Sequence, residues 1–375
     1  MQTPKVTIKE LPDSLVEIEG EIDADSFEKF RKHAVEHLNN EVKMDGFRQG
    51  HIPEAVLSKK IGEMAILEEM ANGALGEAIG LIVNEHKLDT IGRPEVNITK
   101  IASKNPLGFK IKIAVLPKFE LSDYKKISKK AKLEIENEKL EVTEKELDET
   151  LEGLRSFRAN NPSSTEASED TLFHEHKEGE IHTEGDNKTQ GSGQSAVGSG
   201  EVKLPELNDE FAKSLGKFET LDALKEKLRE NILTEKKNDK RHKIRNKIIQ
   251  DILKEVKINA PNVLINREIE IMMSDLKQRA AESGAEFEDY LNEVKKTEED
   301  LRNEWKPVAT ERTKGKLLLR AIGVAEKVTI PSTIVESEAE RMIKLYPDAN
   351  KEAAKMYIEE QLTTEKIFNL LEGAE

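Results

Sequence analysis

Apolar residues keep a period of two at both ends of the first hundred or so positions. Val16, Ile18 and Ile22 share even-numbered positions, and Phe109, Ile111, Ile113 and Val115 share odd ones. That spacing predicts strands with one buried face. Between them the period lengthens to that of a helix. Asp25 and Glu28 have the spacing of a capping box, and Phe27, Phe30, Ala34 and Leu38 then trace one helical face. A second helix is predicted over residues 63–84, with Ile66, Met70, Leu75 and Ile82 inward. Its Gly73, Gly76 and Gly80 either weaken it or permit close packing. Residues 1–118 thus predict a mixed α/β domain.

From residue 119 the pattern changes. Lys125, Lys126, Lys129, Lys130 and Lys132 precede an acidic helical stretch over 142–158, whose Leu147, Leu151 and Leu154 share a face. Residues 119–158 read as a linker ending in a packing helix. Residues 159–203 hold few apolar side chains among Ser, Thr, Gly, Asn, Gln, Glu and His. Ordering a backbone costs roughly 1–2 kcal/mol per residue, which so few apolar groups do not offset; the composition predicts a disordered tether. Residues 204–375 read as helical almost throughout, with helices over 221–256, 261–283, 287–324, 333–346 and 351–371. Pro261 and Pro331 stand near helix starts, where a missing N–H costs little. No heptad is sustained, so the region predicts a bundle or arms rather than one coiled coil. The fold class is α+β.

Charge narrows the partners. Among 375 residues, 59 are basic and 74 acidic, a net charge of −15. More than half of that excess falls in residues 119–203, so the flanking regions are nearly balanced. A chain this acidic does not coat nucleic acid nonspecifically, so DNA is not an expected partner and any RNA contact must be local. Aromatics make up 4% of the residues, too few for a base-stacking platform. Cysteine is absent, which removes disulfides, thiolate nucleophiles and Cys-ligated zinc together. The longest strongly apolar run, residues 78–83, is far short of the ~20 residues of a membrane helix. No signal-like apolar stretch opens the sequence, and the expectation is a soluble, cytoplasmic protein.

The sharpest local feature is the loop of residues 45–53. Gly46 and Gly50 frame Phe47 and Arg48, and Pro53 can open the next helix. Lys43, Lys59 and Lys60 lie close in sequence. Such a loop can hold a ring and a guanidinium outward together, the one as an apolar anchor and the other for phosphate or carboxylate. Composition alone leaves the alternative of an ordinary turn with Phe47 in the core. His174, His176 and His182 could bind zinc or nickel weakly, or be solvated histidines of an acidic segment, and the latter is the expectation. The basic run 236–247 could touch RNA, but reads better as the solvated face of a helix with Ile244, Ile248, Ile252 and Val256 inward. No P-loop, dinucleotide-binding glycine fingerprint, H-E-x-x-H or G-x-S-x-G occurs, so no catalytic residues, cofactor or metal are expected.

The pattern Gly46-Phe47-Arg48-x-Gly50-x-x-Pro53 resembles the ribosome-docking loop of trigger factor, the bacterial chaperone of the exit tunnel. Residues 142–155 resemble that family's linker helix, 204–216 the start of its C-terminal domain, and 260–276 the start of one of its arms. The resemblance implies an ATP-independent chaperone that docks near the ribosomal tunnel exit, on ribosomal protein and rRNA. It would hold nascent or unfolded polypeptides, and it would dimerise off the ribosome. Docking falls to Lys43, Gly46, Phe47, Arg48, Gly50 and Pro53. Ile269, Met272, Met273, Leu276, Met342 and Met356 are candidates for the client surface, since flexible thioethers suit promiscuous apolar binding. Two departures stand out. Gln49 occupies a position where the family usually carries a basic residue, which predicts weaker or more salt-sensitive docking. Only about 45 residues separate Arg158 from Leu204, too few for the family's FKBP-like prolyl isomerase domain, so that domain is expected to be missing. The alternatives are a free cytosolic holdase and a degenerate prolyl isomerase.

Overall fold

The computed structural model describes residues 3–160, 204–216, 218–347 and 349–373. Strands β1 (Lys5–Leu11), β2 (Leu15–Ile22), β3 (Thr90–Lys100) and β4 (Leu107–Val115) form one antiparallel sheet in the order β1-β2-β4-β3. Its register puts Val16 opposite Ile113 and Ile18 opposite Ile111, so one face is continuous and apolar. The break in the β2 alternation at Gly20 has a steric cause. A Cβ there would stand 2.7 Å from a Val6 methyl and 3.1 Å from the Phe109 ring, which occupies that space instead.

Four helices lie between β2 and β3: α1 (Ala24–Glu28), α2 (Arg31–Glu41), α3 (Glu54–Ile61) and α4 (Glu63–Glu85). The core joins Phe27, Ala34, Ile66, Met70, Leu75 and Ile82 to Val16, Ile18, Ile22, Phe109, Ile111 and Ile113. The helix expected after Asp25 differs in two ways. Its cap is Asp23, whose carboxylate accepts from the Ser26 N–H at 2.8 Å, and the chain breaks at Lys29–Phe30 into two helices. Gly73 faces the Phe30 ring closely, whereas Gly76 and Gly80 face open space. Strands β1 and β3, the sheet's edges, carry too few buried side chains for alternation to have revealed them.

Contacts divide the chain into two units. The first joins Met1–Phe119 to Ile258–Lys314, and the second joins Glu120–Lys257 to Gly315–Glu375. In the first unit, α9 (Asn262–Glu282) buries Ile265 and Ile269 against Ala309. Its start meets the β1–β2 turn, where Asn262 donates to the Asp13 carboxylate at 3.0 Å and Ser14 to the Asn259 carbonyl at 3.1 Å. The single helix expected over 287–324 is two, α10 (Phe287–Val294) and α11 (Glu298–Ala325). Lys295 takes a left-handed conformation, φ 53°, and Thr297 and Asp300 form a capping box that starts α11 afresh.

In the second unit, α5 (Tyr124–Glu136) is a helix where the sequence reads as linker. Tyr124, Ile127, Ala131 and Ile135 form its inward stripe at i, i+3, i+7 and i+11, a period that the lysines between them mask. Helix α6 (Glu144–Asn160) buries Leu147 and Leu151 against Phe211 and Leu215 of α7 (Asp209–Leu215) and Leu224 and Leu228 of α8 (Leu221–Glu255). Helices α12 (Ser332–Leu345) and α13 (Lys351–Glu372) pack together as a hairpin. Residues 161–203, including His174, His176, His182 and most of the expected tether, lie outside the described residues. Among the described residues, no helix is long and apolar enough to cross a membrane, and no acidic or histidine cluster could hold a metal.

Candidate functional site

The loop between α2 and α3 is held by Asn39, a buried amide in the last turn of α2. Its Oδ1 accepts from the Ile52 N–H at 2.9 Å, its Nδ2 donates to the Ile52 carbonyl at 2.8 Å, and its own carbonyl accepts from the Gly50 N–H at 3.0 Å. Ile52 is itself buried. One side chain therefore satisfies both backbone polar groups of the buried Ile52 and fixes where the loop returns to the fold. Within the loop, the Phe47 N–H donates to the Met44 carbonyl at 3.2 Å and the His51 N–H to the Arg48 carbonyl at 3.0 Å. Gly50 is required twice: its φ is +83°, and a Cβ would stand 2.8 Å from the Asn40 amide oxygen. Gly46, with φ +86°, turns the chain at the loop's other side.

These constraints leave Phe47 41% exposed and Arg48 exposed beside it. Lys43, Lys59 and Lys60 are exposed too, and among the described residues no carboxylate pairs with any of these four cations. Gln49 is turned back, donating through Nε2 to the Asn40 carbonyl, so it serves the loop's shape. Pro53 is the residue that caps α3 rather than its first helical position, and its carbonyl accepts from Leu57 at 3.0 Å.

A second anchor lies just beyond. Arg31 of α2 pairs with Glu54, the first residue of α3, at 2.7 Å and with Glu63, the first of α4, also at 2.7 Å. The Arg31 hydrogen bond outweighs burial and holds the Glu63 carboxyl below the usual carboxylate range, with Ser58 donating to it as well. Both carboxylates in turn keep the guanidinium charged. Nothing in the sequence pattern marks Asn39 or Arg31, since the roles of both come from contacts between elements.

The six candidate client residues are spread across both units. Ile269 and Met273 are buried, Met272 and Leu276 are half-buried on the same helix, and Met342 is half-buried in α12. Met356 is 72% exposed. Around it the α12–α13 hairpin leaves Ile334, Leu345, Tyr346 and Tyr357 exposed, a set richer in large apolar side chains than the methionines alone indicate.

The basic run on α8 is a solvated face only in part: Lys237 and Lys243 are exposed, whereas other cations of the run are engaged within the second unit. Lys236 meets Glu146 at 2.6 Å, and Lys240 donates to the carbonyls of Glu136 and Glu138 at the end of α5. Arg245, 5% exposed, donates to Glu365 at 2.7 Å and Glu372 at 2.6 Å, lies 4.8 Å over the Phe368 ring, and shares both carboxylates with Arg241. Ile244, Ile248, Ile252 and Val256 face inward as the spacing predicts.

A clamped loop that holds out a ring and a guanidinium, and a hairpin that leaves apolar side chains uncovered, define a protein built to bind other macromolecules. Residues 4–154 match the family described as "Bacterial trigger factor protein (TF)", and residues 220–373 match "Bacterial trigger factor protein (TF) C-terminus". Trigger factor 1 of Desulfitobacterium hafniense (strain Y51) is 26% identical over 427 residues, covering 98% of this chain and 99% of that protein. Trigger factor of Shouchella clausii (strain KSM-K16) is 28% identical over 384 residues, covering 88% and 86%. A solved trigger factor chaperone structure is similar with a TM-score of 0.49 and 18% identity, over 98% of this chain and 99% of that one. The chain belongs to the trigger factor family, the ribosome-associated chaperones of bacteria. The alignment with the D. hafniense protein runs over more positions than the 375 residues present here, so that relative carries segments with no counterpart in this chain.

Proposed function

We propose that this chain acts in the cytoplasm, docking on the ribosome near the tunnel exit through Phe47 and Arg48, with Lys43 supporting. The observation that carries the docking is the loop itself. Asn39, Gly50 and the Arg31 pairs fix its ends, so Phe47 and Arg48 are presented with a smaller backbone ordering cost on binding. A ring anchors in an apolar pocket of protein, and an unpaired guanidinium suits the phosphates of rRNA. Gln49 adds no charge, which leaves docking to fewer cations and makes it correspondingly salt-sensitive. The α12–α13 hairpin, with Met356, Leu345 and Tyr357 exposed, is the client surface, holding unfolded chains by reversible apolar contact with no nucleotide.

The chain is further proposed to lack prolyl isomerase activity. The two family matches leave residues 155–219 between them, and α6 and α7 account for both ends of that interval. Pelleting with purified bacterial ribosomes across a salt series tests the docking. Wild-type protein is expected to pellet saturably at low salt and Phe47→Ala/Arg48→Ala not to; equal pelleting of the two overturns the role of the loop. In a proline-limited refolding reaction the chain is expected to suppress aggregation and leave the slow phase unchanged. Acceleration of that phase overturns the second proposal.

A further inference from the structure

Helix α5 carries a feature that the docking loop and the client hairpin do not use. Its lysines divide into two sets. Lys125 pairs with Glu326 at 2.7 Å and Lys132 donates to the Glu372 carbonyl at 2.8 Å, both within the second unit. Lys126, Lys129 and Lys130 point to solvent, and among the described residues no carboxylate pairs with them. Leu133, 53% exposed, lies on the same face, and the four line a shallow depression together with Glu134, which is paired with Lys247 at 3.2 Å. Like charges at i,i+3 and i,i+4 weaken a helix. Among the described residues the carboxylate that shares the depression, Glu134, is engaged by Lys247, and none is set against this triplet.

We propose that the Lys126–Lys129–Lys130 stripe with Leu133 binds acidic, apolar-containing segments of unfolded polypeptides, a client class that the chain's net charge of −15 disfavours. The proposal rests on the chaperone reading above and assigns a client class to a face outside the hairpin. The partner follows from charge complementarity. At a net charge of −15, long-range repulsion acts against any acidic client, and a local cluster of unpaired cations is what offsets it within a Debye length. The apolar member selects polypeptide over RNA. Leu133 offers a phosphate backbone nothing, the face has no Arg and no aromatic ring to stack on a base, and three ammonium groups suit separate carboxylates.

Fluorescence anisotropy with the full chain tests this, using three labelled probes: a Glu/Leu-rich unstructured 12-mer, the same peptide with Gln for Glu, and a 12-mer of oligouridylate. The variant is Lys126→Gln/Lys129→Gln/Lys130→Gln, with Leu133→Ser as a second variant. Wild-type protein is expected to bind the Glu peptide about tenfold more tightly than the Gln peptide, as three exposed pairs would give. That preference is expected to vanish in the triple variant and at high salt, while binding of the Gln peptide stays unchanged in it. Leu133→Ser is expected to weaken the Glu peptide severalfold. Thermal unfolding of the triple variant is expected to match or exceed wild type, since repulsion is removed. Wild type that binds the Gln peptide as well as the Glu peptide overturns the stripe alone, and wild type that binds neither peptide overturns the chaperone reading with it. Oligouridylate that displaces the Glu peptide and loses affinity in the triple variant overturns the choice of polypeptide over RNA.

Discussion

At the scale of single residues, the docking loop depends less on the side chains it shows than on one it hides. Asn39→Ala would leave the backbone N–H and carbonyl of the buried Ile52 without these partners. An unmade buried hydrogen bond costs about 1–3 kcal/mol, so a measurable fall in the denaturation midpoint is expected, together with loss of ribosome binding although Phe47 and Arg48 are intact. Asn39→Asp separates the two bonds, since it keeps the acceptor for Ile52 N–H and loses the donor. Gly50→Ala is expected to cost about 1–2 kcal/mol from backbone conformation, with further strain from the Asn40 amide oxygen at 2.8 Å. If Gly50→Ala is neutral in chemical denaturation and in ribosome pelleting, the loop is not held as described. The glycine pair and the Phe-Arg pair were legible in the sequence because a loop motif is a local pattern. Asn39 was not, because its role comes from a strand of chain thirteen residues away.

Among elements, the second unit is joined through α8. Leu151→Ala in α6 would open a cavity beside Phe211, Leu215 and Leu224, and a loss of about 2–5 kcal/mol in urea denaturation is expected. The charged clasp between α8 and α13 makes a prediction about pH. Burial pushes the Glu365 carboxyl up, but the Arg245 hydrogen bond and the charges of Arg245 and Arg241 outweigh it and hold the carboxyl below the usual range. A carboxyl lowered in the folded state contributes stability that is present above its unfolded value of about 4.3 and lost as pH falls through the folded value. Glu365→Gln is therefore expected to flatten the acid limb of the stability curve, and a limb identical to wild type contradicts the clasp. Arg245→Ala leaves two half-buried carboxylates with Arg241 as their remaining partner and is expected to cost about 1–3 kcal/mol at neutral pH. Sequence spacing identified the apolar face of α8 because period and burial agree there. It misjudged those cations whose partners lie near or on α5, α6 and α13, more than ninety positions away in several cases, while Lys237 and Lys243 are exposed as expected. Helix α5 went unread although Tyr124, Ile127, Ala131 and Ile135 keep a helical period, because the lysine run draws the reading to charge and the stripe holds a small Ala among its members.

For the molecule as a whole, the proposed function rests on two kinds of exposure in an acidic chain: a cationic aromatic loop in one unit and an uncovered apolar hairpin in the other. The long helices of 221–373 were legible almost to their ends apart from the break at Lys295, because amphipathic segments with Pro and Gly breaks announce themselves, whereas the short α7 was not read. Their grouping was not, since residues 258–314 pack with the first unit and 315–373 with the second. The methionines mark helices but not surface, and only the burial of Ile269 and Met273 separates core from client candidates. The most direct measurement of the central claim is photo-crosslinking on bacterial ribosomes stalled with a nascent chain. One photoreactive residue is placed at position 47 and, in a second variant, at position 356. The account predicts adducts from position 47 with ribosomal protein or rRNA at the tunnel exit, and from position 356 with the nascent chain on the same particles. Adducts from position 356 with released unfolded chains only, and none from position 47, would contradict it and leave a free holdase.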